Sequence, residues 1–346
     1  MSGVLRALAA SLDRLPRLAF TGGPSPLQPA PRFGAALGGS VRVWLKRDDL
    51  LGPAFGGNKV RKLEYLLADA LAQGADCVIT TGAAQSNHAR LTAACARLAG
   101  LEPFLVLRGA EASPVQGNLL LDHLLGAHVE LVPVRRTVET WPAMEALAER
   151  LRAQGRRPYL IPVGGSVPLG AAAYTAAMLE LDGQLSAHGL ADVTVVHASS
   201  SAGTQAGLAL GAALLAGAGR PVRVLGVDVD GDPEGLRRAV ADLARRTAER
   251  LGLAPSQVPD LEAQVEVLGG YAGPGYGRVS DGGRAAIRLL AQTEGVFTDP
   301  VYSGKALAGL IGEARAGRFP AGSRLVFWHT GGAPALFAYA AELVEG

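Results

Sequence analysis

The chain of 346 residues is long enough for two domains or one large α/β unit with an ample core. Its net charge of +2 and its lack of any block of five like charges give no reason to expect a nucleic acid or an anionic membrane as partner. Charged residues interrupt the apolar pattern of residues 1–20, and the longest uncharged apolar stretch, 206–219, is too short to span a bilayer. We therefore expect a cytoplasmic protein.

Short apolar strands alternate with helical stretches along most of the chain. In the first half, the pattern predicts strands at 76–82, 104–107, 128–132 and 159–163, with helices at 87–99, 118–125 and 139–154. After a break at Gly164-Gly165, it predicts a helix at 169–187 and strands at 193–197, 222–229 and 325–328. Such alternation requires crossover connections and parallel sheets.

The fold class that follows is α/β, with two open, twisted, mostly parallel sheets flanked by helices. We expect residues 59–165 to form a small domain, and residues 1–58 and 166–346 to form a larger one. Ligands of open α/β sheets bind beyond the carboxyl ends of the strands, so we expect the site in the loops there, between the two domains.

The cysteines and histidines predict neither a disulfide nor a metal site. Cys77 falls in an apolar strand and Cys95 on a helix, which favours two buried thiols. The six histidines show no metal-type clustering, and even His123 and His128 straddle a helix end.

Lys59 is one of only four lysines among 33 basic residues, and it follows two glycines and Asn58 at the start of a helix. A lysine amine can lose its proton and become a nucleophile, whereas an arginine guanidinium cannot. Lys59 is therefore a candidate for covalent chemistry. The alternative for this residue alone is a solvated lysine at a helix start.

A second signal is the serine-rich segment 198–207, which follows a strand and opens an apolar helix. Small residues let backbone N–H groups approach an anion, and a helix N-terminus carries partial positive charge. The segment lacks the Gly-Lys-Ser/Thr of a nucleotide-binding loop and the dinucleotide fingerprint. It therefore indicates one terminal phosphate, with an ordinary strand–helix turn as the alternative.

Four further loops carry hydrogen-bonding groups. Loop 82–90 contains Ser86, Asn87 and His88, which are suited to binding a carboxylate or a ring oxygen. The alternative is that this loop only caps the start of a helix. Glycine-rich turns fix Tyr276 and Tyr302, which suits contact with a ligand ring or proton donation.

The last of these loops, 329–334, offers the hydroxyl of Thr330. A Schiff-base lysine, a single-phosphate cradle and positioned hydroxyls together indicate pyridoxal 5′-phosphate as the cofactor.

Six motifs in order resemble the D-cysteine desulfhydrase / 1-aminocyclopropane-1-carboxylate deaminase family of fold type II, tryptophan-synthase-β-like pyridoxal phosphate enzymes. The likeness runs from about residue 14 to about residue 340. The motifs are Lys46-Arg47-Asp48-Asp49, Gly56-Gly57-Asn58-Lys59, Gln85-Ser86-Asn87-His88, Ser201-Ala202-Gly203-Thr204, Asp299 to Lys305, and His329-Thr330-Gly331-Gly332.

The resemblance implies a homodimer that binds the cofactor between its two domains. It implies that Lys59 forms the Schiff base and shuttles protons, that Asn87 binds the ring hydroxyl and that Thr330 approaches the pyridine nitrogen. The phosphate is implied to rest on Ser200, Ser201, Ala202, Gly203 and Thr204.

For the substrate, the resemblance implies that Ser86 and the backbone N–H groups of Asn87 and His88 receive the carboxylate. Tyr276 and Tyr302 are implied to line the substrate side. Catalytic roles accordingly fall to Lys59, Ser86, Tyr276 and Tyr302.

Two positions favour β-elimination within this family. Ser303 stands where the deaminases carry a glutamate, and a neutral hydroxyl protonates the pyridine nitrogen less well than a carboxylate does. His88 matches the desulfhydrases better than the glutamine of the deaminases. The hypothesis is conversion of D-cysteine or a close analogue to pyruvate, ammonia and hydrogen sulfide.

Three alternatives remain open. The first is 1-aminocyclopropane-1-carboxylate deaminase, which gives 2-oxobutyrate. The second is cysteate sulfo-lyase, which a basic group in the pocket would favour. The third is a catalytically silent cofactor- or nucleotide-binding protein.

Overall fold

A computed structural model describes residues 3–110, 113–258 and 260–344. The strands are β1 Leu27–Pro29, β2 Arg42–Arg47, β3 Cys77–Ala83, β4 Glu102–Arg108, β5 His128–Val132, β6 Pro158–Ile161, β7 Val193–Ser199, β8 Val222–Asp228, β9 Glu266–Leu268 and β10 Arg324–His329.

The α-helices are α1 Gly3–Asp13, α2 Pro31–Ala36, α3 Lys59–Ala72, α4 Asn87–Leu98, α5 Gly117–Leu124, α6 Trp141–Ala153, α7 Pro168–Ala187, α8 Gly203–Ala216, α9 Pro233–Arg250, α10 Leu261–Gln264, α11 Asp281–Glu294, α12 Ser303–Arg315, α13 Ala333–Ala338 and α14 Ala340–Val344. Short 3₁₀ segments lie at Asp48–Leu50, Thr137–Thr140, Val163–Gly165 and Pro255–Gln257.

The strands form two separate sheets. One has the order β1-β2-β10-β7-β8-β9 and is parallel except for the antiparallel edge strand β1. The other is fully parallel, with the order β5-β4-β3-β6. The α/β prediction with two mostly parallel sheets is confirmed.

The strands of the four-stranded sheet all come from the range 59–165, and those of the six-stranded sheet come from outside it. The domain boundaries themselves stay a prediction. Both cysteines are buried free thiols, as predicted. No helix in the described part of the chain is long and apolar enough to cross a membrane.

A buried carboxylate, Asp48, joins several of these elements directly after β2. It has no solvent exposure, and burial by itself would raise its pKa. The charge and hydrogen bonds of Arg61 outweigh that effect and hold the pKa of Asp48 below its ordinary value. The donors to its two oxygens are Ser25 Oγ, Arg61 Nε and Nη2, Tyr174 Oη and Trp328 Nε1, at 2.6–3.1 Å.

The network continues to a second carboxylate on α7. Glu180 accepts a hydrogen bond from Arg61 Nη1 at 2.8 Å. It also forms an ion pair with Lys46, whose side chain is fully buried. Lys46 Nζ further donates to Ser25 O at 2.7 Å. This network, defined by Lys46, Asp48, Arg61 and Glu180, fixes α3 against β2 and α7.

Replacing Asp48 by Asn should lower the free energy of unfolding by about 3–5 kcal/mol, because Arg61 then stays buried without its main counter-charge. Urea unfolding at pH 7 measures this, and Asp242→Asn, at an exposed ion pair on α9, should change it by less than about 1 kcal/mol.

The lowered pKa of Asp48 also determines how its contribution to the free energy of unfolding changes with pH. Its contribution is present above the unfolded pKa of about 3.9 and is lost as the pH falls through the folded pKa. The stability difference between wild type and Asp48→Asn should therefore shrink below about pH 4. A difference that stays constant into acid would contradict this role.

Candidate active site

Lys59 is the first residue of α3, and the loop before it has an unusual backbone. Ala54 and Phe55 have φ of 50° and 66°, in the left-handed region that side chains disfavour. Gly56 follows with φ 62°, and a Cβ there would lie 2.4 Å from Asp49 O, so only glycine fits. The loop is therefore held in a strained shape that sets the position of Lys59.

The same loop is joined to the segments after β7 and β10. Asn58 donates its backbone N–H to Thr330 O at 3.0 Å, and its Nδ2 donates to Thr204 Oγ1 at 3.1 Å. A Cβ on Gly331 would lie only 2.9 Å from Gly57 Cα. Lys59, Thr204 and Thr330, which the sequence predicted as site residues, are thus brought together by direct contacts around Asn58.

The Lys59 side chain keeps partial solvent access although protein surrounds it. Desolvation lowers the pKa of its amine to about 8. An ordinary lysine amine is almost entirely protonated at neutral pH, whereas a tenth or so of this one is free. Lys59 is therefore suited to nucleophilic chemistry.

Lys62 is a site residue that the sequence interpretation missed. It lies three positions after Lys59, on the same face of α3, and only 1% of it is exposed. Its Nζ donates to Gly164 O at 3.0 Å, and a Cβ on Gly203 would lie 2.8 Å from that nitrogen. Burial and then the nearby Lys59 charge hold its pKa well below the ordinary value. The scarcity of lysines and the i, i+3 spacing could have identified it.

The predicted phosphate loop connects β7 to α8. Ala202 has φ 66°, which turns the chain so that α8 begins at Gly203. Ser201 Oγ lies 2.9 Å from Ser166 Oγ, which also accepts Gly203 N–H at 3.3 Å. The hydroxyl of Ser200 does not join Ser166, Ser201 and Gly203, because it donates to Asp230 Oδ2 at 2.6 Å.

This loop fits a single phosphate group. The first N–H groups of α8 have no partner within the helix, and the helix dipole favours an anion there. Lys62 Nζ lies close to the start of α8, and Thr204, the second residue of that helix, adds its hydroxyl there. One amine and several small-residue N–H groups therefore surround a space where an anion would be stabilised.

The loop after β3 presents a second helix start. Ser86 caps α4, and its Oγ accepts Ala89 N–H at 3.2 Å. A Cβ on Gly82 would lie 2.3 Å from Ser86 Oγ, so the glycine is what lets Ser86 lie there. The first N–H groups of α4, on Asn87 and His88, lack helical partners and can bind a carboxylate.

Asn118 orients Asn87 and was not identified from the sequence. It is fully buried on α5, and its Nδ2 donates to Asn87 Oδ1 at 2.9 Å and to Gln85 O at 3.0 Å. Because the Asn87 oxygen is engaged, its Nδ2 is left to donate to another acceptor. That orientation suits a ring hydroxyl, the predicted partner of Asn87.

The His88 side chain contacts the four-stranded sheet. Its Nε2 lies 2.8 Å from Thr80 Oγ1, and Thr80 in turn donates to Ile161 O at 2.8 Å. Since the hydroxyl has one proton, Nε2 must be the donor to it. Burial, followed by the charges of Lys59 and Lys62, holds the pKa of His88 well below 6.5, so the imidazole is neutral.

The two predicted tyrosines meet each other. Their hydroxyl groups share a hydrogen bond, and their ring centroids lie 5.8 Å apart. Burial raises the pKa of Tyr276 to about 12 and holds that of Tyr302 well above its ordinary value, so both are neutral phenols at pH 7. The buried Lys305 donates to Gly275 O at 2.8 Å and so holds the Tyr276 loop.

The loop that carries Tyr302 is organised by the buried Asp299. Its carboxylate accepts the N–H groups of Val301, Tyr302 and Ser303 and the Ser303 hydroxyl, at 2.6–3.0 Å. Ser303 Oγ also lies 3.2 Å from Gly331 O, next to Thr330. The tyrosine pair is therefore connected to the Lys59 region through the segment at Thr330.

Comparison with known proteins agrees with this geometry. The model of a family described as pyridoxal-phosphate dependent enzyme matches residues 18–331. The chain belongs to this family. The cofactor prediction and the enzyme prediction are thereby confirmed. The lysine, the helix start at Gly203 with Lys62 beside it, and the oriented Asn87 fit that cofactor.

Two curated relatives and one solved structure are similar over nearly the whole chain. A D-cysteine desulfhydrase of Klebsiella pneumoniae (strain 342) is 45% identical over 95% of this chain and 98% of its own. A 1-aminocyclopropane-1-carboxylate deaminase of Burkholderia cenocepacia is 43% identical, with the same coverage. The crystal structure of an ACC deaminase homologue has a TM-score of 0.88 and 37% identity, and covers 99% of both chains.

In cofactor-free protein, Lys59 should react with an amine-specific acylating reagent at a rate that rises with pH and has its midpoint at about 8. Only the free amine reacts, and desolvation increases its fraction near neutral pH. Mass spectrometry of the Lys59 peptide measures the rate. A midpoint near 10.5 would contradict the lowered pKa.

Arg90 holds the strained loop before Lys59. It is fully buried on α4, and it donates to Ala54 O and, at 3.1 Å, to Gly56 O. Arg97 on the same helix makes comparable bonds to Leu125 O and Gly126 O, but its bonds are exposed and lie at the end of α5. Arg97 is therefore a suitable control for substitutions of Arg90.

We expect Arg90→Met to weaken pyridoxal phosphate binding by at least about tenfold, because hydrogen bonds to a charged group contribute about 1.5–3 kcal/mol each. Arg97→Met should leave the affinity within about twofold, since its carbonyl partners are exposed to water. Cofactor absorbance during titration of the cofactor-free proteins measures both. Equal losses in the two variants would show that Arg90 acts only on general stability.

Proposed function

We propose that this protein catalyses the β-elimination of D-cysteine, or of a close analogue, with one water, to pyruvate, ammonia and hydrogen sulfide. A relative that is 45% identical over nearly the full length bears the name D-cysteine desulfhydrase. A deaminase relative is almost as similar, so identity alone does not decide between the two activities. The observation that carries the proposal is that Ser303 offers a neutral hydroxyl that is already hydrogen-bonded.

Ser303 presents no charge to the site. Its hydroxyl is fully buried and is engaged by Asp299 and Gly331 O. The Asp299 carboxylate already accepts four hydrogen bonds from its own loop. Neither group is therefore available as the strong proton partner of the pyridine nitrogen that ring opening by a deaminase is expected to need. Elimination of a thiolate, a good leaving group, needs less electron withdrawal.

Bound pyridoxal phosphate supplies the electron sink for carbanion chemistry at the substrate Cα. For its binding, we assign the phosphate to Lys62, Thr204 and the first N–H groups of α8, the ring hydroxyl to Asn87 Nδ2, and the pyridine side to Thr330. We assign the covalent link to Lys59. Ser200 contributes its backbone, because its hydroxyl is bound to Asp230.

We match each group of the substrate with the protein residues whose charge and hydrogen-bonding groups suit it. Ser86 and the N–H groups of Asn87 and His88 bind the carboxylate at the start of α4. The Lys59 amine, with its lowered pKa, takes the α-proton. The electron pair of that C–H bond then forms the Cα–Cβ double bond, and the Cβ–S pair leaves with sulfur. Tyr276 and Tyr302, as neutral phenols, can give the departing sulfur a proton.

We also propose that the protein is a cytoplasmic homodimer with domains 59–165 and 1–58 plus 166–346. The resemblance of its motifs supports the dimer, and the separate sheets support the boundaries. Sedimentation velocity of the purified protein distinguishes a dimer from a monomer.

A product assay tests the function. The purified holoenzyme should release sulfide and pyruvate in equal amounts from D-cysteine, more rapidly than from L-cysteine. Lys59→Ala, which removes the proton acceptor, should lower kcat by at least about a thousandfold. Absence of both products, or faster formation of 2-oxobutyrate from 1-aminocyclopropane-1-carboxylate, would contradict the proposal.

A further inference from the structure

Arg108 is a cation at the mouth of the site that no step above uses. It is the last residue of β4, where it is paired with Ala83 at the end of β3, and its carbonyl accepts Ala84 N–H at 3.1 Å. Its backbone therefore lies directly beside the loop that leads to Ser86, the assigned carboxylate site.

The Arg108 side chain reaches across to the loops of the other sheet. Its guanidinium carbon lies 4.9 Å from the centre of the Tyr276 ring, close enough for a cation–π interaction. Tyr276 in turn shares a hydrogen bond with Tyr302. The guanidinium is thus placed on the substrate side, against the pair of phenols assigned to the leaving group.

In the part of the chain that the structure describes, most of the hydrogen-bonding capacity of Arg108 is unused. Nη1 donates to Arg135 O at 2.9 Å, and a guanidinium has five N–H donors in all. Within the described ranges, 3–110, 113–258 and 260–344, no carboxylate lies at ion-pair distance from it. The charged and titratable groups that interact with it electrostatically are Asp230, Tyr276 and Tyr339. A partly buried guanidinium with free donors favours an anionic oxygen or sulfur.

We propose that Arg108 determines specificity by binding the sulfur group on Cβ in its anionic form, as a thiolate or a sulfonate. The inference rests on the proposed β-elimination. The Cβ–S electron pair leaves with the sulfur, and the Arg108 charge stabilises the negative charge that sulfur then carries. The guanidinium contact with Tyr276 keeps the phenol in place beside the same atom.

The test compares three β-substituted alanines on wild type and Arg108→Gln: D-cysteine, cysteate and β-chloroalanine, each as pyruvate release. With Arg108→Gln we expect kcat/KM to fall by at least about tenfold for the two sulfur substrates, the effect of one lost charge-assisted hydrogen bond. For β-chloroalanine, which carries no anionic group on Cβ when it binds and whose chloride leaves readily without assistance, the fall should stay below about threefold. Arg108→Lys, which keeps the charge without the planar fork, should lie between the two.

The matched control is Arg135→Gln, an exposed arginine in the segment that Arg108 contacts, which should leave all three values unchanged. For wild type, added KCl should raise the KM for cysteate, and this salt effect should be smaller in Arg108→Gln, because the Arg108 charge is then absent and only the other charges are screened. Unchanged cofactor absorbance in the variant shows that the site has remained folded.

The possible outcomes separate the inference from the proposed function. Equal losses on all three substrates, or a salt effect that is undiminished without Arg108, would overturn the inference while β-elimination by wild type stands. If wild type releases pyruvate from none of the three, the proposed function fails and the inference fails with it.

Discussion

A buried negative charge on Asp48 is the constraint on which the site depends. Taking a carboxylate out of water costs several kcal/mol, so it is tolerated only while Arg61 and the neutral donors surround it. Arg61 is the third residue of α3, and Lys59 is the first. Residues two apart on a helix point in different directions, so the anchoring of Arg61 turns Lys59, and with it Lys62, towards the opposite side.

The site itself consists of loops that the two sheets hold in place. The Lys59 loop is bound through Asn58 to the segments at Thr204 and Thr330, and Asn118 orients Asn87 from α5. Most of these contacts join residues far apart in sequence. Positioning of this kind converts ordinary side chains into a site that can orient a cofactor and a substrate.

The sequence predicted much of this, because strand–helix alternation and glycine-rich loops are local signals. The strand at 128–132 and the first residue of α4 were predicted correctly. The strand predicted at 159–163 ends at Ile161, since Pro162 lacks an N–H for the ladder and Gly164 has φ 68°. The three-residue strands β1 and β9 were missed, because so short a segment has no measurable periodicity.

Roles that depend on long-range contacts could not be predicted. The spacing of Lys62 from Lys59 was a usable signal, but only the fold shows that its amine lies beside Gly203. Nothing in the sequence indicated that the Arg108 side chain contacts Tyr276. Ser200 stays a predicted phosphate ligand through its backbone, because its hydroxyl donates to Asp230, which lies 30 residues away.

We propose that, among the four lysines, Lys59 alone carries the cofactor. Borohydride reduction of the holoenzyme makes the lysine–cofactor bond permanent, and peptide mass spectrometry then locates it. The modification should be found on Lys59, with Lys46, Lys62 and Lys305 unmodified. A modification on Lys62, or a holoenzyme with no modified lysine, would contradict the assignment.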